Sequence, residues 1–332
     1  MRPIPSLVPD PRSCQTARSG RAPATTSRAA RARPALGAPG IATPDLARPQ
    51  RPERNSPARA AAGLLAACHP APSVAVTVVI TAVAAASGRG AAGTVLVAAT
   101  ILTGQLSVGW SNDRIDLARD IAAGRKDKPL AAGTVSPRAV AVAAACALVL
   151  CVPLSLANGL TAGLAHLIGV AAAWSYNLGV KRTKLSPLPY AIAFGLLPAF
   201  VTLALPGHPW PQPWAIAAGA LLGVGAHAAN VLPDIEDDLG MGVRGLPQLL
   251  GPDRSRLAAA ASLLIASLLL VFGPAGAVGV VGWIGLGVSG VLALTVASIS
   301  RFRPASRLPF LATLGLAVLD VALLLLRGGK LT

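Results

Sequence analysis

Charge is scarce in this chain, and negative charge is scarcer still. Only 13% of the 332 residues are charged and 13 of them are Asp or Glu, where an ordinary soluble domain carries about a quarter charged residues. With 53% hydrophobic residues, such a composition argues against a soluble domain and for a chain that lives in hydrocarbon. Cysteine is scarce too. Cys14, Cys68, Cys146 and Cys151 form no C-x-x-C pair and have no histidine at zinc-ligand spacing, which argues against a disulfide framework and a structural metal. Three of them sit in apolar surroundings, where Cys acts as a small hydrophobe. No apolar h-region follows the early arginines, so a secretory signal is not expected.

Residues 1–60 are rich in Pro, Arg, Ala and Ser, without apolar periodicity. They bury too little surface to offset chain entropy and are expected to be a disordered tail. An Arg-rich, acid-poor leader also has the composition of a transit peptide or of a simple upstream extension. A membrane domain is expected over 61–332. Its apolar segments run at 64–87, 91–111, 139–157, 160–177, 187–205, 214–233, 257–279, 282–300 and 308–326, nine in all, with the seventh and eighth also readable as one long hairpin. Each approaches the roughly 20 apolar residues that a spanning helix needs. Pro153, Pro198 and Pro274 fall within them, and membrane helices tolerate proline better than soluble ones. The expected fold is all-α, a polytopic membrane bundle of about nine transmembrane helices around a central cavity.

The net charge of +16 raises nucleic acid as a partner, but its placement argues against one. About half lies in the tail and the rest in short loops between apolar runs. Loops after even-numbered segments hold Arg114, Arg119, Arg125, Lys126, Lys128 and Arg138, then Lys181, Arg182 and Lys184, then Arg244, Arg254 and Arg256, then Arg301, Arg303 and Arg307. The opposite loops hold only Arg89, Arg327 and Lys330. By the positive-inside rule the even loops and the N terminus face the cytoplasm and the C terminus lies outside. An odd number of spans in a cell membrane follows.

The few acids are concentrated. Past residue 60, all but Asp253 and Asp320 fall in two knots: Asp113, Asp116, Asp120 and Asp127 within Ser111–Thr134, and Asp234, Glu236, Asp237 and Asp238 at the end of the sixth segment. On a helix continuing the second segment, Asn112, Asp116 and Asp120 share a face at i, i+4 and i+8, with Asp113 beside them. Asp234 and Asp238 repeat the i, i+4 spacing, with Asp237 at i+3. Brought together, such carboxylates would repel and raise one another's pKa, and a divalent cation relieves this. Oxygen donors without His or Cys select Mg²⁺, or Mn²⁺ or Ca²⁺, over zinc or copper. Mg²⁺ combines a few carboxylates with waters and substrate phosphate. Arg125, Lys126, Lys128, Lys181 and Arg182 add cations suited to a diphosphate. A solvated helix cap explains one isolated acid, but two knots of like spacing at one membrane face point to function. NDRIDLARD and NVLPDIEDD also resemble each other, and they face one side as a parallel duplication would, not opposite sides as inverted repeats do.

NDRIDLARD (112–120) fits the N-D-x-x-D-x-x-x-D motif of the UbiA-type integral-membrane prenyltransferases, and DIEDD (234–238) resembles their second D-x-x-x-D motif. KDKPLAAGTVS (126–136) resembles their loop after the first motif, WSYNLGVKRT (174–183) their Tyr-to-Lys stretch, and RGLPQLLG (244–251) their segment after the second motif. The resemblance covers about residues 60–330. It implies Mg²⁺-dependent transfer of a polyprenyl group from its diphosphate to an acceptor, usually aromatic, as in quinone and prenyl-lipid biosynthesis. Residue by residue, it implies metal ligation by Asn112, Asp116, Asp120, Asp234 and Asp238, and diphosphate contacts from Arg125, Lys128, Lys181 and Arg182. It implies catalytic roles for Asp113, Asp116, Asp237 and Tyr176, the last near the prenyl chain or its leaving group. Charge would then be stabilised on the departing diphosphate while an allylic cation meets the acceptor in a dry cavity.

Three departures from the family pattern stand out. Tyr176 and Lys181 are one residue further apart than in Tyr-x-x-x-Lys. His69-Pro70 stands where Arg-Pro is frequent, which weakens any diphosphate contact from the first helix. Lys128 keeps the charge of the frequent Arg but not its fork. A UbiA-type terpene cyclase shares both motifs and would need no acceptor. A cation-coupled transporter is the reading from another class, although transporter ion sites lie near the midplane in broken helices and these acids flank basic loops. Hydroxybenzoate, naphthoate, porphyrin, homogentisate and sugar phosphate acceptors are all compatible with the motifs. His166 and His227 read as core packing or a helix contact rather than as catalytic groups, and His208 and Trp210 as an interfacial loop. Asp320 either pairs with a polar neighbour inside the bundle or shapes the substrate cavity.

Overall fold

In the computed structural model, residues 57–302, 308–327 and 331–332 are described. The expectations for residues 1–56, Arg303, Arg307 and Lys330 lie outside these. Every regular element among the described residues is helical. Helix α1 (Pro57–Ala67) takes in the last four residues of the expected tail, because Pro57 starts an Ala-rich run that propagates a helix readily.

Helix α2 (Pro70–Ala86) follows at a 60° bend, so the expected first segment, 64–87, is broken. The reason is local: proline disfavours the α conformation in the residue before it, and His69 takes the left-handed region, at φ 54°. Helix α3 (Ala91–Ala122) runs 32 residues, eleven past the apolar stretch, and carries the first acid knot as continuous helix. Helices α4 (Pro137–Leu156), α5 (Leu160–Leu178), α6 (Leu188–Leu203) and α7 (Pro213–Val231) follow. A 3₁₀ turn at Leu232–Asp234 then leads into the short α8 (Ile235–Gly240) and α9 (Leu246–Leu250). The chain ends in α10 (Pro252–Phe272), α11 (Val280–Phe302) and α12 (Leu308–Arg327). Proline in the first turn begins many of these helices, where its missing N–H costs nothing. Ser136 caps α4, its hydroxyl accepting from the Ala139 N–H at 3.1 Å. Pro153 and Pro198 lie inside α4 and α6, while Pro274 lies beyond the end of α10.

Among the described residues nine helices reach 16 residues or more, in the positions of the nine apolar segments. Five stretches are long and apolar enough to cross a membrane: Ala91–Ala122, Pro137–Leu156, Pro213–Gly240, Pro252–Phe272 and Val280–Ile299. The bent α1–α2 pair makes a sixth if counted as one span, and α6 and Leu311–Leu326 are apolar but shorter. The chain is a multi-pass membrane protein. Hydroxyls in these helices return to their own backbone, as Thr77 does to the Ser73 carbonyl at 2.7 Å and Thr100 to Leu96 at 2.7 Å, which satisfies them without water.

The long helices pack in chain order, each against the next, and α12 returns to pack on α2 and α7, closing the ring. Phe200, Leu203, Val97, Ile101 and Leu270 form the larger buried cluster, and Leu263, Val296 and Leu316 a second one. Two backbones touch where glycine allows it. A Cβ on Gly109 of α3 would lie 2.3 Å from the Cys68 carbonyl oxygen, and one on Gly223 of α7 would lie 2.4 Å from that of Tyr190 in α6. These contacts draw α3 against the α1–α2 bend and α7 against α6, the walls of the cavity described next.

Candidate active site

A cavity of about 750 Å³ lies between α2, α3, α5, α6 and α7, and none of its lining residues comes from α4, α10, α11 or α12. Helix α3 supplies one continuous stripe to it. Ile101, Gly104, Gln105 and Val108 line its inner half, and Asn112, Asp113, Asp116, Arg119 and Asp120 its outer half. The helical period holds these positions on one face, so the change from apolar to acidic sequence along α3 becomes a change from apolar chamber to charged mouth.

At the mouth the two acid knots meet through cations. Asp116, 3% exposed, accepts from Lys181 Nζ at 2.5 and 2.7 Å and from Arg119 Nη2 at 2.8 Å. Arg119 also reaches Asp238 of the second knot, at 3.5 Å. Asp113, 1% exposed, accepts from Lys128 Nζ at 2.8 Å and lies 2.8 Å from His69 Nε2. Arg125 grips Asp127 with two bonds of 3.0 and 2.9 Å and comes within 3.5 Å of Asp234. Asp238 accepts from Gln248 Nε2 at 2.8 Å. Burial disfavours the ammonium of Lys181 and draws its pKa below the ordinary lysine value, against the pull of Asp116. The hydrogen-bonded Arg125 guanidinium holds the Asp127 carboxyl below the usual range.

Asn112, Asp113, Asp116, Asp120, Arg125, Lys128, Tyr176, Lys181, Asp234 and Asp238 thus line one cavity. Three expected residues do not. Asp237, Arg182 and Lys126 are exposed and absent from the lining. Asp237 stands one residue, about 100° of helix, from Asp238, and Arg182 and Lys126 flank inward-facing neighbours in the same way. Arg119 and Gln248, given no site role from the sequence, belong to the site, and His69 takes a different role from the expected one. Arg119 stands at i+3 from Asp116, a spacing that signals pairing on one face. Gln248 reaches Asp238 across a non-helical turn that carries no such signal. His69 replaces the expected weak diphosphate contact with a bond to Asp113.

The inner half is apolar and aromatic. Tyr176 meets Tyr190 edge-on at 5.2 Å, and Tyr190 stacks with Phe194 at 6.3 Å. His227, bonded to Ser186 Oγ at 3.1 Å, backs this wall and is 1% exposed. His166 is buried and packed on Phe200, as expected, and also lines the cavity. Asp320 is buried among α10, α11 and α12, bonded to Ser267, which in turn bonds Ser289 at 2.9 Å. It does not line the cavity, so pairing inside the bundle is its role.

The donor set fits Mg²⁺. Asn112, Asp116, Asp120, Asp234 and Asp238 offer oxygen alone, and Asp120, 6% exposed, lines the cavity with no side-chain hydrogen bond or ion pair among the described residues. No three His, Cys, Asp or Glu side chains among the described residues converge to cage a metal. Mg²⁺ takes one or two carboxylates and completes its shell with water and phosphate.

The chain matches known proteins in sequence and fold. It is 31% identical over 185 residues to the bacteriochlorophyll synthase 33 kDa chain of Cereibacter sphaeroides, covering 51% of this chain and 58% of that one. It is 31% identical over 172 residues to the digeranylgeranylglyceryl phosphate synthase of Methanothrix thermoacetophila, covering 50% and 61%. The match therefore spans somewhat under two thirds of each of these relatives. Among solved structures, a UbiA homolog from Aeropyrum pernix K1 in its apo form superposes with a TM-score of 0.59 at 20% identity, over 80% of this chain and 98% of that one. A UbiA homolog from Archaeoglobus fulgidus bound to GPP and Mg²⁺ superposes with a TM-score of 0.58 at 18% identity, over 79% and 97%. These structures share the helical membrane fold. The sequence model of the UbiA prenyltransferase family matches residues 73–316, and the chain belongs to that family.

Proposed function

We propose that this protein transfers a polyprenyl group from its diphosphate to a small aromatic acceptor in a Mg²⁺-dependent reaction. One observation carries the reading: both acid knots and their cations open onto one cavity whose inner half is apolar. A ligand with a highly charged head and a hydrocarbon tail matches that division. Two relatives bear the names bacteriochlorophyll synthase and digeranylgeranylglyceryl phosphate synthase, and a structural neighbour holds GPP with Mg²⁺.

Asn112, Asp116, Asp120, Asp234 and Asp238 would hold the metal, which when bound supplies Lewis-acid stabilisation of the leaving diphosphate. Lys181, Lys128, Arg119 and Arg125 would bind the phosphate oxygens, Arg as a fork and Lys as a point charge. In the free protein these cations are already paired with Asp116, Asp113, Asp238 and Asp127. Diphosphate therefore enters by exchange of partners. A buried carboxylate stripped of its cation is strongly unfavourable, so Asp116 and Asp113 need replacement positive charge as Lys181 and Lys128 turn to phosphate. The π faces of Tyr176 and Tyr190 stabilise the developing allylic cation, and the apolar walls keep water from capturing it. Electrons of the C–O bond leave with diphosphate, the acceptor carbon bonds the allylic carbon, and the acceptor loses a proton.

Charge placement supports a cytoplasmic mouth, with the N terminus on the same side of the cell membrane. The test is to incubate membranes containing the full chain with labelled geranyl, farnesyl or geranylgeranyl diphosphate, Mg²⁺ and a panel of aromatic acceptors. Label appearing in an acceptor, with one diphosphate released per transfer, is the expected outcome. A labelled hydrocarbon or alcohol formed equally well without acceptor contradicts transfer and identifies a cyclase.

A further inference from the structure

The inner end of the cavity is not uniformly apolar. His166 of α5 lines it and is 6% exposed. Its ring packs on Phe200 at 4.9 Å between centroids, and its Nδ1 lies 2.8 Å from Ser155 Oγ. The single hydroxyl hydrogen of Ser155 is committed to the Cys151 carbonyl, at 2.6 Å. The Nδ1–H of His166 is therefore the donor to Ser155. A charged imidazolium here would be buried with no carboxylate partner, which is costly, so the ring is neutral and Nε2 carries a lone pair. Nε2 has no hydrogen-bond partner among the described residues. Its edge faces α3, where a Cβ on Gly104 would lie 3.2 Å from it. The next residue, Gln105, also lines the cavity, and its amide has no hydrogen bond among the described residues.

A chamber built only for hydrocarbon would not place an acceptor nitrogen and an amide in its wall, because covering them with methylenes leaves both unsatisfied. A hydroxyl satisfies both, donating to Nε2 and accepting from the amide. The position is also defined. His166 lies ten residues before Tyr176 on α5, about 15 Å at the helical rise, and Gln105 lies seven before Asn112 on α3, about 10 Å. The reacting end of the ligand is at the charged mouth, so a group at this depth belongs to the far end of the chain.

The geometry points to a hydroxyl-binding subsite at the inner end of the cavity, formed by His166 and Gln105, that selects an isoprenoid chain hydroxylated at its far end. This rests on the diphosphate reading of the mouth. The test measures binding of geranyl, farnesyl and geranylgeranyl diphosphate, each against its ω-hydroxylated counterpart, to the detergent-solubilised full chain with Mg²⁺. The wild-type protein is expected to prefer the hydroxylated member by about tenfold, and at one chain length only, since the subsite has a fixed depth. His166→Phe, which keeps a ring against Phe200, abolishes that preference. Gln105→Leu weakens it and serves if His166→Phe does not fold. Equal affinities within every pair, the same preference at all three lengths, or a preference that survives both substitutions overturns the subsite alone. Failure of every diphosphate to bind wild-type protein overturns the mouth reading and the subsite with it.

Discussion

Lys181 and Asp116 are 6% and 3% exposed at the side chain, and two hydrogen bonds of 2.5 and 2.7 Å join them. A buried pair of this kind contributes little net stability compared with apolar replacement, yet breaking one side is expensive. Asp116→Asn is expected to cost about 3–5 kcal/mol, read as a lower unfolding midpoint in detergent. Adding Lys181→Met should recover most of that loss while leaving the enzyme inactive. A double variant no more stable than Asp116→Asn would show that the buried ammonium is not the source. The α3 side of this pair was readable, because Asn112, Asp116 and Asp120 recur at helical spacing on one strip of sequence. Which acid Lys181 would meet was not, because the two are 65 residues apart and only the packing of α5 beside α3 joins them. His69 and Gln248 were opaque for the same reason: their partners, Asp113 and Asp238, are set by a bend and a turn.

At the scale of the element, α3 does most to shape the site. It is 32 residues long, and one face passes from apolar wall to acid mouth. Its close approach to the α1–α2 bend depends on Gly109. Gly109→Ala should destabilise the protein by about 1–3 kcal/mol through overpacking and reduce activity, because the Cys68–His69 backbone that it displaces holds His69 on Asp113. Gly287→Ala in α11, where a Cβ meets nothing within 4 Å, should instead stabilise by about 0.5–1 kcal/mol. Thermal unfolding of the two variants side by side checks both, and equal shifts would show that the α3 contact is not tight. The long helices were legible from apolar runs because hydrocarbon demands continuous helix. The break at His69 was not, since one left-handed residue interrupts an apolar run without altering its composition. The 3₁₀ turn at Leu232–Asp234 likewise left the i, i+4 pair of the second knot legible but not its path.

At the largest scale, nine long helices among the described residues close a ring, but the cavity occupies only the part between α2, α3, α5, α6 and α7. Of the long helices outside it, α4 packs on α3 and α5, while α10 to α12 fasten to α7 and α2 and carry their own buried polar link, Asp320–Ser267–Ser289. The division into a charged mouth and an apolar interior was foreseeable from the two acid knots and the basic loops, whereas the placement of the cavity within the ring required the packing order. The central claim is that the two knots form one diphosphate site, with membership decided by which acids face the cavity. The most direct measurement is the Mg²⁺-dependent prenyl-transfer rate in membranes bearing Asp116→Ala, Asp238→Ala or Asp237→Ala, normalised to the amount of folded protein. Asp116→Ala and Asp238→Ala, one from each knot, are predicted to lose about 100-fold or more, while Asp237→Ala, exposed and outside the cavity, keeps a rate close to wild type. Loss on Asp237→Ala equal to that on Asp238→Ala, or a wild-type rate in Asp116→Ala, would contradict it.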